Sequence, residues 1–165
     1  MVRAQEEDLV NAAIVSDPDW RDADVVALYH AVGHELSLAS AANDALRRGV
    51  TVCFPRVGPG GLSLHEVASW AQLSPGAYGI PEPAASAPVV SPARVDITVV
   101  PGLAWGPGGT RLGQGGGFYD RLLPRVGGVS WGVGFECQWL DALPLEPHDR
   151  PVDRVITPTR LDMFE

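Results

Sequence analysis

Short apolar runs alternate with polar, glycine-rich and proline-rich stretches along this chain. Asp24-Val-Val-Ala-Leu-Tyr29 is continuously apolar after its first residue, the pattern of a strand buried on both faces of a parallel sheet. Val50-Thr-Val-Cys-Phe54 and Asp96-Ile-Thr-Val-Val100 have the same character, and the second is stopped by Pro101-Gly102. Ala4 to Val15 sets Leu9, Ala12 and Ala13 on a partial helical face, with Val2 at its margin, and predicts a short helix ending at Ser16-Asp17-Pro18. Asn43 to Arg48 runs into Gly49, a helix with a C-cap signal. Leu62 to Val67 alternates, as a strand with one wet face or near a sheet edge does, and Ser74 to Arg94 reads as a long surface connection or lid. Phe118 to Leu123 reads as helix, Val129 to Phe135 as strand, and Val155-Ile-Thr157 as the last strand. Strands alternating with helices predict an α/β fold: a single domain over residues 1–165, with a mostly parallel sheet flanked by helices and its site at the carboxyl ends of the strands.

Composition narrows the function. A chain of 165 residues that is 45% hydrophobic can bury one core. Its apolar runs fall far short of the ~20 residues that a bilayer span requires, so no membrane segment is expected. The acidic start, Met1-Val-Arg-Ala-Gln-Glu-Glu-Asp, has neither the basic nor the apolar region of a secretion signal, and the expected location is the cytoplasm. A net charge of -8 disfavours nucleic acid and anionic lipid as partners. Each of the twelve basic residues is arginine, which excludes a Schiff-base lysine, a phosphate-loop lysine and a lysine general base. Cys53 and Cys137 lack zinc-ligand spacing, and core packing is the expected role of both.

The candidate chemistry gathers in the segment from Pro101 to Asp120. Its glycines, lying after a buried strand and before a helix start, let several backbone N–H groups converge on one concavity that suits phosphate. The segment lacks the Lys-Ser/Thr of a Walker loop, and Phe118 stands where the dinucleotide fingerprint needs its last glycine. Gly128-Val-Ser130-Trp-Gly132 matches a nucleophile elbow, with Asp141 and His148 following, yet Ser130 lies within a strand pattern and has no helix behind it. His30 and His34 have helical metal spacing but border a strand, so hydrogen-bonded or solvated histidines are expected. Asp120 and Asp149, hard oxygen donors from distant loops, suit a magnesium ion shared with substrate phosphates. On spacing alone, surface pairing of the Asp149 and Asp153 region with its arginines is the preferred reading of those carboxylates.

Arg111-Leu-Gly-Gln-Gly-Gly-Gly-Phe-Tyr-Asp120-Arg, preceded by Pro101-Gly-Leu-Ala-Trp105 and by Tyr78-Gly-Ile-Pro-Glu-Pro83, resembles the 5-formyltetrahydrofolate cyclo-ligases, also called methenyltetrahydrofolate synthetases. The similarity runs from about Val25 to the end of the chain and takes in Tyr29 through Glu35, Cys53-Phe-Pro55-Arg56 and His148-Asp149. It implies a fold similar to the ribose-phosphate isomerase and CoA-transferase group. It also implies ATP- and Mg2+-dependent conversion of 5-formyltetrahydrofolate to 5,10-methenyltetrahydrofolate, with release of ADP and phosphate, by a monomer. On the matching positions, Arg111 and the stretch Gly113, Gln114, Gly115, Gly116, Gly117, Phe118, Tyr119 and Asp120 hold the nucleotide, with Arg111 and Tyr119 as the catalytic residues. Asp120 and Asp149 are the implied metal ligands, Glu35 the folate anchor, and Trp105, Phe118 and Tyr119 the walls of the folate ring.

The chain departs from the family pattern in two respects. Family members often have tyrosine at the Phe118 position, and some have a basic residue at Gln114 or Gly116. Members usually begin with a basic helix that reaches the ATP phosphates, whereas here Arg3 is the only cation near the start. This second departure leaves open an alternative: a catalytically weak folate- or nucleotide-binding relative.

Overall fold

The apolar runs lie side by side as parallel strands. The structure, a computed structural model, describes residues 2–163. Helix α1 (Val2–Ser16) stops at Asp17, whose carboxylate accepts the Asp19 N–H at 2.8 Å and starts α2 (Pro18–Asp22). Strand β1 (Val25–Ala27), helix α3 (Ala39–Arg47) and strand β2 (Thr51–Gly58) form a strand-helix-strand unit, and β3 (Gly61–Val67) turns back on β2. A small hairpin, β4 (Leu73–Pro75) with β5 (Pro81–Pro83), precedes β6 (Val89–Val90) and β7 (Ile97–Val100). A second hairpin, β8 (Ala104–Gly106) with β9 (Thr110–Leu112), leads to helix α4 (Phe118–Leu122), then β10 (Val129–Val133), β11 (Arg154–Thr157) and β12 (Arg160–Met163).

The main sheet has eight strands in the order β12-β11-β10-β7-β1-β2-β3-β6. The five from β11 to β2 are parallel, and antiparallel partners finish both sides. At the centre, Val26 aligns with Val52 on one side and Ile97 on the other. Val26, Val99 and Trp131 face a layer built from Val10 and Ile14 of α1, Trp20 of α2 and the alanines of α3. Val25, Ala27 and Cys53 face the opposite layer, with Leu64 and Leu122. Both faces are covered, which is why these strands read as continuous apolar runs. Among the described residues, no helix is long and apolar enough to cross a membrane.

The structure corrects several expectations. The helix predicted over Ala4 to Val15 is longer, and it buries Val10, Asn11 and Ile14 while Leu9 and Ala12 are exposed. Asn11 can be buried because its amide bonds Ser37 O and Glu7 O and accepts the Ala41 N–H, a set of partners that periodicity does not register. The Ser74 to Arg94 connection holds the β4–β5 hairpin and β6, and the glycine-rich segment holds β8–β9. β12 follows Thr157, so β11 is not the last strand. Cys53 is buried, with its thiol pushed up to about 12 by loss of solvent, but Cys137 is exposed in a 3-10 turn rather than in the core.

Asp17 also pairs with Arg154 of β11, whose guanidinium lies 5.2 Å over the Trp131 ring, so one carboxylate starts α2 and ties both helices to the sheet. Both partners are close to nine-tenths buried. Asp17→Ala leaves Arg154 buried without its counter-charge and is expected to cost about 3 to 5 kcal/mol. The expected readout is a lower urea midpoint with an unchanged slope.

Candidate active site

Beyond β1 the chain forms a loop that presents Glu35. Tyr29 donates from its hydroxyl to Leu36 O at 2.6 Å, and the Glu35 carboxylate accepts the Val32 N–H at 3.0 Å, closing the loop on itself. Helix α1 holds the loop from below: Glu7 accepts the Ser37 N–H at 3.1 Å, and Arg3 donates to Glu35 O at 3.1 Å and Gly33 O at 3.5 Å. The Arg3 guanidinium also stacks 4.4 Å over Phe135. Arg3 therefore braces the Glu35 loop. Burial raises the Glu35 carboxyl above its usual range, against the opposing pull of the Val32 N–H, His30 and Arg111.

Beyond β7, the β8–β9 hairpin turns Arg111 back toward the strand ends. Its Nε donates to Pro101 O at 2.7 Å and its guanidinium lies 5.2 Å over the Tyr119 ring. No carboxylate among the described residues comes within salt-bridge distance of it. Burial lowers this guanidinium below its usual range, while Tyr119, Asp120, Asp149 and Glu35 pull the other way. A side chain at Gly113 would stand 3.1 Å from the terminal guanidinium nitrogens, so this glycine keeps the charge accessible. Gly117 has φ +67°, a left-handed start for α4 that favours glycine. Between them, the N–H groups of Gly113, Gln114, Gly115, Gly116 and Gly117 donate to no group among the described residues.

The other expected site residues divide. Phe118 and Tyr119 are half-buried at the start of α4, and burial raises the Tyr119 hydroxyl above its usual range. Phe118 meets Tyr78 edge-on at 6.4 Å, and Arg121 stacks on it at 5.1 Å while donating to Gly116 O. Trp105 is the correction: it is fully buried, its indole N–H donates to Val133 O at 3.0 Å, and it cannot wall a ligand. Asp120, Asp149 and His148 bring one ligand atom each within 4.8 Å of one another. Asp120 accepts the Arg150 N–H at 3.0 Å and Asp149 the Glu146 N–H at 2.8 Å, so backbone fixes both carboxylates. Ser130 lies within β10, buried, and trades hydrogen bonds with Asp153, leaving no elbow. His34 is exposed, and His30 bonds Ala31 O and meets Trp70 edge-on at 5.4 Å.

Three features escaped the sequence reading. His148 reads in the sequence as a motif neighbour of Asp149 and as a rejected hydrolase base, not as part of a ligand set. Tyr78 is 79% exposed with φ +59°, a backbone state that residue type does not announce. An open groove of about 500 Å³, lined by His30, Leu38, Trp70, Leu73 and Pro81, borders the Glu35 loop. It draws on segments far apart in sequence.

A glycine-rich loop, a desolvated arginine, an aspartate pair and a loop carboxylate thus meet at the strand ends. A model of the 5-formyltetrahydrofolate cyclo-ligase family matches residues 1–158. The chain belongs to this family. It is similar to the 5-formyltetrahydrofolate cyclo-ligase of Mycolicibacterium smegmatis, 30% identical over 143 residues, covering 82% of this chain and 74% of the relative. The Escherichia coli K12 cyclo-ligase is 31% identical over 146 residues, covering 84% and 80%. The NMR structure of the Aquifex aeolicus 5,10-methenyltetrahydrofolate synthetase superposes with a TM-score of 0.87 at 35% identity, covering 98% of this chain and 82% of that one. The Mycoplasma pneumoniae synthetase, at 17% identity and TM-score 0.76 over 94% and 87%, shares the fold.

The raised Glu35 carboxyl gives this cyclo-ligase family member a testable pH signature. The folded chain holds that proton more tightly than the unfolded chain, so the penalty for charging it is absent below the unfolded pKa and grows as pH rises through the folded one. Glu35→Gln keeps an acceptor for Val32 and removes the charge. The variant is expected to gain stability relative to wild type as pH rises above the ordinary glutamate range, measured as the difference in urea midpoints. A difference that stays flat with pH overturns the assignment.

Proposed function

We propose that the chain converts 5-formyltetrahydrofolate to 5,10-methenyltetrahydrofolate at the expense of ATP, releasing ADP and phosphate. The observation that carries this reading is Arg111, a desolvated guanidinium that has no carboxylate partner among the described residues, beside five N–H groups that have no acceptor among them, and within the influence of Glu35, Asp120 and Asp149. That arrangement suits an anion such as a triphosphate, and family membership supports the same reaction. In the reaction the formyl oxygen attacks the γ-phosphorus and ADP leaves. N10 then adds to the formyl carbon, the phosphorylated oxygen departs as phosphate, and N10 gives up its proton.

The chain's own residues orient and neutralise. Arg111 and the loop N–H groups hold the phosphates and meet charge that builds on the transferred group. Tyr119, packed beneath the Arg111 guanidinium, keeps it aimed and excludes water from one side. Glu35 accepts hydrogen bonds from the pterin N–H groups, with Phe118 and Tyr119 against the ring. The donor set of Asp120, His148 and Asp149 fits Mg2+ through its two hard carboxylate oxygens, and a magnesium ion held there offsets phosphate charge.

One observation favours a second reading. Arg3 is committed to the Glu35 loop, so helix α1 supplies no free cation to the phosphates beyond Arg111, Arg121 and backbone, and a binder with slow turnover fits that economy.

The deciding experiment follows methenyl product by absorbance with and without ATP. ATP-dependent product supports the cyclo-ligase, whereas saturable folate and nucleotide binding without product supports the second reading. Arg111→Ala removes charge-assisted bonds worth about 1.5 to 3 kcal/mol and is expected to raise the ATP KM by roughly ten- to a hundredfold, with a smaller effect on the folate KM. Asp120→Asn keeps an oxygen donor but loses its charge, and a higher Mg2+ concentration for half-maximal rate is expected. An unchanged Mg2+ titration removes Asp120 from the site.

A further inference from the structure

The β4–β5 hairpin is a separate two-stranded sheet that shares no ladder with the main one. It nevertheless supplies two features of the site: Leu73 and Pro81 form one wall of the groove beside Glu35, and Tyr78 at its tip meets Phe118 of the glycine-rich loop. Its polar attachment to the main sheet runs through Glu82, which is 6% exposed. Arg56 of β2 donates one N–H nitrogen to the Glu82 carboxylate at 3.1 Å and to Pro83 O at 3.0 Å, and the Val57 N–H reaches the other carboxylate oxygen at 3.3 Å. Gly76, on the opposite arm, lies so close that a side chain there would fall 2.1 Å from the Glu82 carboxyl carbon. One carboxylate thus ties the β5 arm to β2, with Gly76 packed directly against it.

For stability alone, a pair of apolar side chains would serve as well, because desolvating two charges offsets most of their attraction. What the ion pair adds is direction: the carboxylate accepts only where Arg56 and the Val57 N–H point, while an apolar contact can slide. We propose that Arg56 and Glu82 are positioning residues that set the width of the groove bordering the Glu35 loop, taken to receive part of the folate, and the height of Tyr78 over the glycine-rich loop. This rests on the proposed cyclo-ligase activity. Neither side chain needs to touch the substrate. The pair acts through the wall and the tip that it holds.

The test uses Glu82→Gln and the apolar double variant Arg56→Met with Glu82→Leu, with hydrogen exchange, thermal midpoint and steady-state kinetics for each. Glu82→Gln is expected to raise the folate KM about tenfold and to leave the ATP KM within about twofold, with faster amide exchange confined to residues 73–83. The double variant is expected to recover the thermal midpoint without recovering the folate KM. Recovery of both together overturns the proposal, because the pair is then packing alone. An unchanged folate KM, or equal rises for folate and ATP, overturns it as well. If wild type forms no methenyl product, the proposed function fails, and exchange over residues 73–83 still decides whether the pair holds the hairpin. Where Glu82→Gln does not fold, the double variant supplies the same comparison.

Discussion

A guanidinium taken out of water must answer to some negative charge, and the way Arg111 meets that requirement organises the site around it. Its one hydrogen bond among the described residues goes to a neutral carbonyl, Pro101 O. Glu35, Asp120 and Asp149 all act on it, yet none closes to a salt bridge. The three carboxylates come from the loop after β1, the start of α4 and the segment before β11, so the charge balance of one side chain links the ends of the sheet. Had any of them closed on Arg111, the pair would be neutral and indifferent to an anion. Kept apart, they leave a cation facing the glycine loop with its terminal nitrogens free.

The Glu35 side depends on helix α1 in a comparable way. Glu7, Asn11 and Arg3 lie along one face of the helix, and each bonds the backbone between Gly33 and Ala41. These polar side chains work beside the apolar packing of Val10 and Ile14 in the same cluster as Leu36 and Leu38. Burying Asn11 costs little, because its amide satisfies backbone groups that the loop leaves without partners. The loop keeps its shape because the helix supplies the hydrogen bonds that a sheet or a longer helix would otherwise have made.

Much of this was legible in the sequence, for identifiable reasons. Strands covered on both faces announce themselves, so β1, β2, β7 and β10 read correctly to within a few residues. Arg111, Asp120, Asp149 and Glu35 sit in ordered motifs, and the structure brings them to one end of the sheet. The failures have causes as well. Hairpins of three-residue strands, β4–β5 and β8–β9, are too short to show a period. Trp105 read as a ligand wall because its motif matches the family, but glycines near it in sequence and in space make room for its indole: a side chain at Gly132 of β10 would stand 2.4 Å from the Trp105 ring. Glycine there serves core packing. Composition cannot tell the two uses apart, since both need a missing side chain and only one needs a ligand.

The bond between Asp17 and Arg154 spans 137 positions, and strand order compounds that distance, since β1 must wait for β7 and β7 for β10. A ribosome delivers Asp17, Trp20 and β1 long before the residues that secure them. Throughout that interval one margin of β1 offers unpaired backbone groups, and the apolar layer above it stays open. The final segment of the polypeptide is therefore a latch. A message truncated before β11 yields a product that holds most of the nucleotide-facing residues and lacks the closure that would let them keep their places.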